Sequence, residues 1–272
     1  MDKEFFYISL FNSKYIGDDG AFIEGRVYSS DAFCEDVHFK RSWMDPKAVA
    51  KKAMLVNLSD AVAMNAEPKY ALVALSIPKN YTKEELGMLA RGFSDTARSW
   101  DVEIVGGDTV AGEKLDIAIT IVSETKRPVF RKPLRRGYLL GYTGDLGGVM
   151  KDLKRLMRGG RVHRRSKFFE PGIRREFMRR SSRVLRCAMD ISDGLFDDLG
   201  KMARMNRVGV EFFFKIPKAV GCSGEEYEIL FAIDPRHKEA LLRRARASRT
   251  KVTLFGRAVR GRYKNICKPH HF

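Results

Sequence analysis

Two rhythms of apolar positions divide the chain. Short apolar or alternating runs over residues 21–33, 70–77, 115–122, 138–144, 208–214 and 252–255 predict strands, and a polar turn over 222–228 feeds another into 229–231. The run 70–77, closed by Pro78, suits a buried strand. Apolar residues spaced three and four apart predict helices between these runs. The clearest begins at Asp45-Pro46, a capping residue followed by proline at the first helical position. It runs through Ala48, Val49, Ala53, Met54, Val56 and Leu58 and closes over 57–64. Thr82 and Glu85 form a capping box for a second helix through Leu86, Leu89, Ala90, Phe93, Ala97 and Trp100. Further helices are predicted over 147–157, after Pro171, from the acidic stretch at 188 to about Asn206, and over 235–247. Strands and helices mixed in this way imply an α/β fold class.

Length changes the picture first. A chain of 272 residues exceeds the usual size of one core, so one large or two medium domains are expected. The stretch 126–136, with Pro128, Pro133 and several arginines, reads as a linker and divides the chain into domains 1–125 and 126–272. The formal charge of +17, from 51 Lys and Arg against 34 Asp and Glu, suggests an anionic partner. Basic residues crowd between 126 and 186 without an ordered recognition motif, so a dedicated nucleic-acid interface is not expected. Cys34, Cys187, Cys222 and Cys267 are scattered, with no CxxC pair, and read as reduced thiols of a cytoplasmic protein. The N-terminal stretch lacks a signal-peptide hydrophobic region, and no run approaches a membrane span.

Candidate chemistry lies in acidic turns. The stretch 188–199 carries Asp190, Asp193, Asp197 and Asp198. If it is helical from its start, the first three share one face while Ile191, Leu195, Leu199 and Met202 share another. Carboxylates this close repel unless a cation compensates, and an all-oxygen set favours Mg²⁺ or a similar hard ion. Similar signals recur upstream. They are the glycine-flanked Asp18-Asp19, Ser29-Ser30-Asp31 at an expected strand end, and Asp60 embedded among apolar residues. The strand, glycine pair and carboxylate of Gly106-Gly107-Asp108 form another. Neither a GxxxxGK[ST] loop nor a GxGxxG fingerprint occurs. Asp-bearing turns spread over both halves suggest a multi-metal phosphate site at the loop edge of an α/β fold, suited to phosphoryl transfer. From the residues alone, a metal-stabilised binding domain is the alternative.

The motifs also occur together in a recognisable order. Gly17-Asp18-Asp19, Ser30-Asp31 with His38-Phe39, Asn57-Leu58-Ser59-Asp60 with Ala63-Met64 and Gly106-Gly107-Asp108-Thr109 lie in the first half. Met189-Asp190-Ile191-Ser192-Asp193-Gly194-Leu195 and Gly224-Glu225 with Tyr227-Glu228 follow. Together, over nearly the whole chain, they resemble thiamine-monophosphate kinase, of the superfamily that includes aminoimidazole ribonucleotide synthetase and selenophosphate synthetase. The resemblance implies a two-domain aminoimidazole-ribonucleotide-synthetase-like fold, with an N-terminal sheet domain that dimerises and a C-terminal α/β domain, and with ATP between them. It implies Mg²⁺-dependent, direct in-line transfer of the γ-phosphoryl group of ATP, as co-substrate, onto thiamine monophosphate. Several Mg²⁺ ions would be held by Asp19, Ser29, Ser30, Asp31, Asp60, Asp108, Asp190 and Asp193, with Asp60, Asp108 and Asp190 central to catalysis. Gly107, Asp108, Arg131 and Ser192 would face the nucleotide, and His38, Glu225 and Phe272 would line the thiamine site. Two features depart from the family pattern: Glu226 stands where Asp is usual, and the segment 217–224 is short. A sister enzyme acting on another small substrate is the alternative.

Overall fold

A computed structural model describes residues 3–267. In chain order the elements are α1 (Lys3–Ser9), β1 (Ala21–Ile23), β2 (Arg26–Cys34), α2 (Pro46–Ala63), β3 (Glu67–Pro78), α3 (Lys83–Ser99), β4 (Glu103–Gly112) and β5 (Asp116–Glu124). Then come β6 (Leu139–Thr143), α4 (Gly148–Met157), α5 (Arg175–Ser181), β7 (Leu185–Asp190), α6 (Leu195–Asn206), β8 (Gly209–Phe212), α7 (Lys218–Gly221), β9 (Ile229–Ile233), α8 (Lys238–Ala247) and β10 (Val252–Val259). The strands form two five-stranded sheets, ordered β1-β2-β5-β3-β4 and β7-β9-β6-β10-β8. Among the described strands, only the β3–β4 pairing is parallel. The first sheet ends at Glu124 and the second begins at Leu139.

α2 lies at the centre. Asp45 caps it by accepting from the Ala48 N–H at 2.8 Å, and Pro46 opens it. The helix is buried almost all round, which suits one enclosed between layers rather than one with a solvent face. Along most of its length it packs on Phe33, Ile117, Ile119 and Ile121 of the first sheet. At its C-terminal end Val62 and Ala63 join Phe177, Phe231 and Ile233 of the second half. α3 covers α2 closely at Gly92, where an added Cβ would lie 2.4 Å from the Lys47 carbonyl oxygen. One helix thus touches both sheets, and residues near its C-terminal end reach both halves.

The strand over 21–33 is in fact a hairpin. Glu24 (φ 49°) and Gly25 (φ 83°) make its two-residue turn, whose positive φ angles match the twist of paired strands. Ser29, Ser30 and Asp31 therefore lie mid-strand in β2, not at a strand end. The run 70–77 is a strand, but it is only partly buried, because helices cover one face of the first sheet and leave the other open. Tyr70 and Leu72 are exposed on it, as are Val105 and Val110 of β4. Gly106-Gly107-Asp108 is not a turn either and belongs to β4. Gly107 fits there because an added Cβ would lie 1.7 Å from the Val73 carbonyl oxygen of β3.

The acidic stretch is not helical from its start. Asp190 ends β7, and α6 begins only at Leu195. Gly194 (φ 105°) turns the chain between them, packed against the backbone of 221–223. The expected linker at 126–136 is tied to both halves. Val129 N–H donates to Met64 O, Ala188 N–H to Phe130 O, and Leu134 N–H to Asn206 Oδ1. The expectation of four reduced thiols is corrected: Cys222 and Cys267 form a disulfide, and only Cys34 and Cys187 are free among the described residues. Forty-five residues separate the pair, a spacing that gives no local signal. They meet because the tail folds back on α6, where Asn265 bonds Asp197 and Tyr263 lies beside Gly200. Among the described residues no helix is long and apolar enough to cross a membrane.

Candidate active site

Separate elements deliver carboxylates to one point. Asp19 comes from the turn before β1, Asp31 from β2, Asp60 from the last turns of α2 and Asp190 from the end of β7. Carboxylate oxygens of Asp19, Asp60 and Asp190 lie within 4.8 Å of one another. Asp31 and Asp60 lie close enough for each to perturb the other's carboxyl. Asn57, one turn before Asp60 on α2, holds β2 in place by accepting from the Asp31 N–H at 2.9 Å. Ser59 donates to Asp190 Oδ2 at 2.8 Å and so fixes α2 to the second sheet.

Burial and mutual repulsion set the charge state of this group. Desolvation pushes the carboxyls of Asp19 and Asp31 up, and it pushes Asp60 and Asp190 well above the ordinary carboxylate range. Neighbouring carboxylates add to the rise. The one guanidinium in the group is that of Arg131, which donates from Nε to Asp19 Oδ1 at 3.1 Å and also from Nη2. Burial alone would lower the Arg131 pKa, but the surrounding aspartates raise it. Asp19 Oδ2 and Ser29 Oγ are buried with no hydrogen-bond partner. Buried orphan oxygens beside several carboxylates are what a hard, oxygen-seeking cation satisfies, so the residues fit Mg²⁺.

A second cluster adjoins it. Asp193, Asp197 and Asp198 converge around Lys201, whose ammonium bonds Asp193 and lies 3.3 Å from Asp198 Oδ1. Burial raises the Asp198 carboxyl to about 7 despite that lysine. In α6 the side chains of Asp197, Asp198 and Lys201 meet around one turn, whereas Asp193 arrives from the loop.

Of the residues expected in the metal set, Asp193 thus sits in the adjoining cluster, and Ser30 and Asp108 lie in neither. Successive residues of a strand face opposite ways, so Ser30 points away from Ser29 and Asp31, and it bonds Thr120 at 3.0 Å. Asp108 lies in register with Ala74, Ala118 and Ala32, which places it on the same open face as Ser30 and opposite to Asp31. It is exposed and belongs to neither acidic cluster. Ser192 sits beside the cluster, and its carbonyl accepts from the Glu225 N–H at 2.6 Å.

Glu225 accepts from Lys52 at 2.8 Å. His38 Nδ1 accepts from the Cys34 N–H at 2.9 Å, and the His38 ring stacks on Phe33. Phe272 lies outside the described residues. Glu226, the departure from the expected motif, is fully buried and accepts from Ser223 Oγ at 2.6 Å and from the Gly147 N–H at 2.7 Å at the start of α4. Glu228, also fully buried, takes both Nε and Nη2 of Arg174 at 2.6 Å. Lys167 bridges the two glutamates. Lys52, Lys167 and Arg174 escaped the sequence reading. For Lys52 a signal existed, since it interrupts an apolar helix face as Asp60 does. A cavity of about 980 Å³, lined in part by Lys40, Trp43, Lys51, Arg161 and Phe169, opens beside the N-terminal half of α2. It contains none of the clustered aspartates.

Residues 17–125 match the family described as AIR synthase related protein, N-terminal domain. The thiamine-monophosphate kinase of Leptospira interrogans is 31% identical over 229 residues, covering 76% of this chain and 75% of its own length. That of Aquifex aeolicus is 30% identical and covers 80% of each. A solved structure of AaThiL complexed with AMPPCP and TMP superposes with a TM-score of 0.87 at 27% identity, over 99% of this chain and 96% of that one. A HypE-HypF complex shares the fold, with a TM-score of 0.80 at 15% identity and coverage of 95% and 93%.

Proposed function

Since this chain belongs to the thiamine-monophosphate kinases, of the aminoimidazole ribonucleotide synthetase superfamily, we propose that it transfers the γ-phosphoryl group of ATP directly to the phosphate of thiamine monophosphate. The observation that carries this reading is the convergence of Asp19, Asp31, Asp60 and Asp190 from four elements, with orphan oxygens on Asp19 and Ser29. Mg²⁺ held by these carboxylates would neutralise the negative charge that develops on the phosphates during transfer. The protein's own part is positional. Asn57 and Ser59 lock the strands that carry Asp31 and Asp190 to α2, so the carboxylates are preorganised. Asp193, held by Lys201 in the adjoining cluster, is assigned to the metal side by the resemblance, and Arg131, which holds Asp19, to the nucleotide. By resemblance to the family, Gly107, Asp108 and Ser192 are assigned to the nucleotide, Asp108 from the open face of the first sheet rather than from the cluster, and His38, Glu225 and Phe272 to the thiamine group.

The reaction itself is the test. ADP release from ATP and Mg²⁺ should depend on thiamine monophosphate, with thiamine diphosphate as the product. ATP binding without release on adding thiamine monophosphate would move the chain to another substrate of the superfamily, and the short segment 217–224 would be the first place to look.

The enzyme is further proposed to be a homodimer. The open face of the first sheet exposes Tyr28, Tyr70 and Leu72, an apolar group suited to a second copy. Leu72→Glu should shift the sedimenting species from dimer to monomer; an unchanged dimer would place the interface elsewhere.

A further inference from the structure

Lys52 carries a charge inside the apolar body of α2. Its side chain is 1% exposed. The ammonium lies 4.3 Å from the ring centroid of Phe168 and 5.5 Å from that of Phe33, and it donates to Glu225 Oε2 at 2.8 Å. A buried ion pair is seldom retained for stability, because an apolar side chain of similar volume does as well or better at such a position. The pairing therefore calls for another reason.

Glu225 supplies one. Its backbone is in the left-handed region, at φ 55°, and its N–H is bound to Ser192 O at 2.6 Å. Lys52 holds Oε2, while Oε1 is buried without a hydrogen-bond partner. The carboxylate is thus fixed in place with one acceptor oxygen open. Lys52 also lies over the ring of Phe33, which stacks on His38 with centroids 5.2 Å apart. One ammonium therefore reaches both groups assigned to the thiamine side, directly in one case and through a ring in the other.

We propose that Lys52 is a positioning residue for the phosphoryl acceptor, holding Glu225 so that its free oxygen receives an N–H donor of an amino-heteroaryl phosphate ester. The inference rests on the assignment of Glu225 to the thiamine site, and the aminopyrimidine of thiamine monophosphate is a donor of that class. A site built around one acceptor oxygen discriminates against a ligand that lacks the matching donor, because the buried oxygen then stays unpaired.

Steady-state kinetics of the full chain test it, with Lys52→Met chosen because methionine keeps most of the packing against Phe33 and Phe168. K52M should raise the KM for thiamine monophosphate about tenfold or more, with kcat and the KM for ATP within about twofold. E225Q should give a similar rise, and the K52M/E225Q double variant should add little to either single change. Wild type should also prefer thiamine monophosphate over its analogue with oxygen in place of the pyrimidine amino group, and K52M should lose much of that preference. An unchanged KM for thiamine monophosphate, parallel rises for both substrates, or additive effects in the double variant would overturn the proposal. If K52M shows no cooperative melting transition, K52Q reads the same split. Wild type that does not turn over thiamine monophosphate refutes the functional assignment and this inference with it. Normal wild-type turnover with an indifferent Lys52 removes the inference alone.

Discussion

Asp60→Asn is expected to lower kcat for thiamine monophosphate by about a thousandfold or more, in line with the loss of a central metal or electrostatic group, and to leave the protein folded. Asparagine matches aspartate in size and stays polar, but it carries no charge. In the cation-free protein Asp60 is surrounded by Asp31, Asp190 and Asp19, which push its carboxyl up on top of the effect of burial. Removing that carboxyl relieves repulsion, so the Tm in chelator should hold or rise. The increase in Tm on adding Mg²⁺ should shrink, because the folded state binds the ion less well. Loss of turnover with no loss of stability separates a functional carboxylate from a structural one. A lower Tm in chelator would make Asp60 structural, and retained turnover would remove it from the site. Asp108→Asn is the contrast: exposed on β4 and on the face opposite Asp31, it gives no structural reason for a comparable change in stability, and its effect on turnover reads whether the resemblance places it at the nucleotide.

How much of this was legible in the sequence depends on the range of the signal. Caps are local, and the start of α2 at Asp45-Pro46 and the Thr82–Glu85 capping box stand where the residues put them. The charge of Asp60 in an apolar segment was likewise visible, because an isolated carboxylate is costly wherever the segment goes. The faces of β2 and β4 were not. Without the Glu24-Gly25 hairpin turn, Ser29 to Asp31 reads as a strand end whose groups could all converge; within a strand, alternation sends Ser30 the other way. The loop after Asp190 hid in a different way, since its spacing fits a helix until Gly194 and Cys222 pack backbone to backbone. The Cys222–Cys267 bond and the role of Glu226 at the start of α4 depend on contacts between distant segments.

The cation-free protein is expected to lose stability as pH rises from about 4 towards 8, and Mg²⁺ is expected to offset the loss. Asp198 shows the sign. Its carboxyl titrates near 3.8 when unfolded and at about 7 when folded. Below the lower value both states are protonated, and the group has no effect. Between the two values the unfolded state has released its proton while the folded state keeps it, so deprotonation favours unfolding. At about 1.4 kcal/mol per unit, a gap of this size amounts to several kcal/mol at most. Asp19, Asp31, Asp60 and Asp190 are shifted in the same direction. The net positive charge works against the effect, since global repulsion eases as pH rises. The decisive quantity is therefore the difference between wild type and Asp60→Asn, measured by thermal melts in chelator from about pH 5 to 8. Wild type should fall relative to the variant as pH rises, and the Tm increase from Mg²⁺ should grow over the same range as the ion displaces protons. Parallel curves for the two proteins would mean that Asp60 keeps its ordinary pKa in the folded, cation-free state, with the neighbouring cations Arg131 and Lys201 holding the cluster together instead.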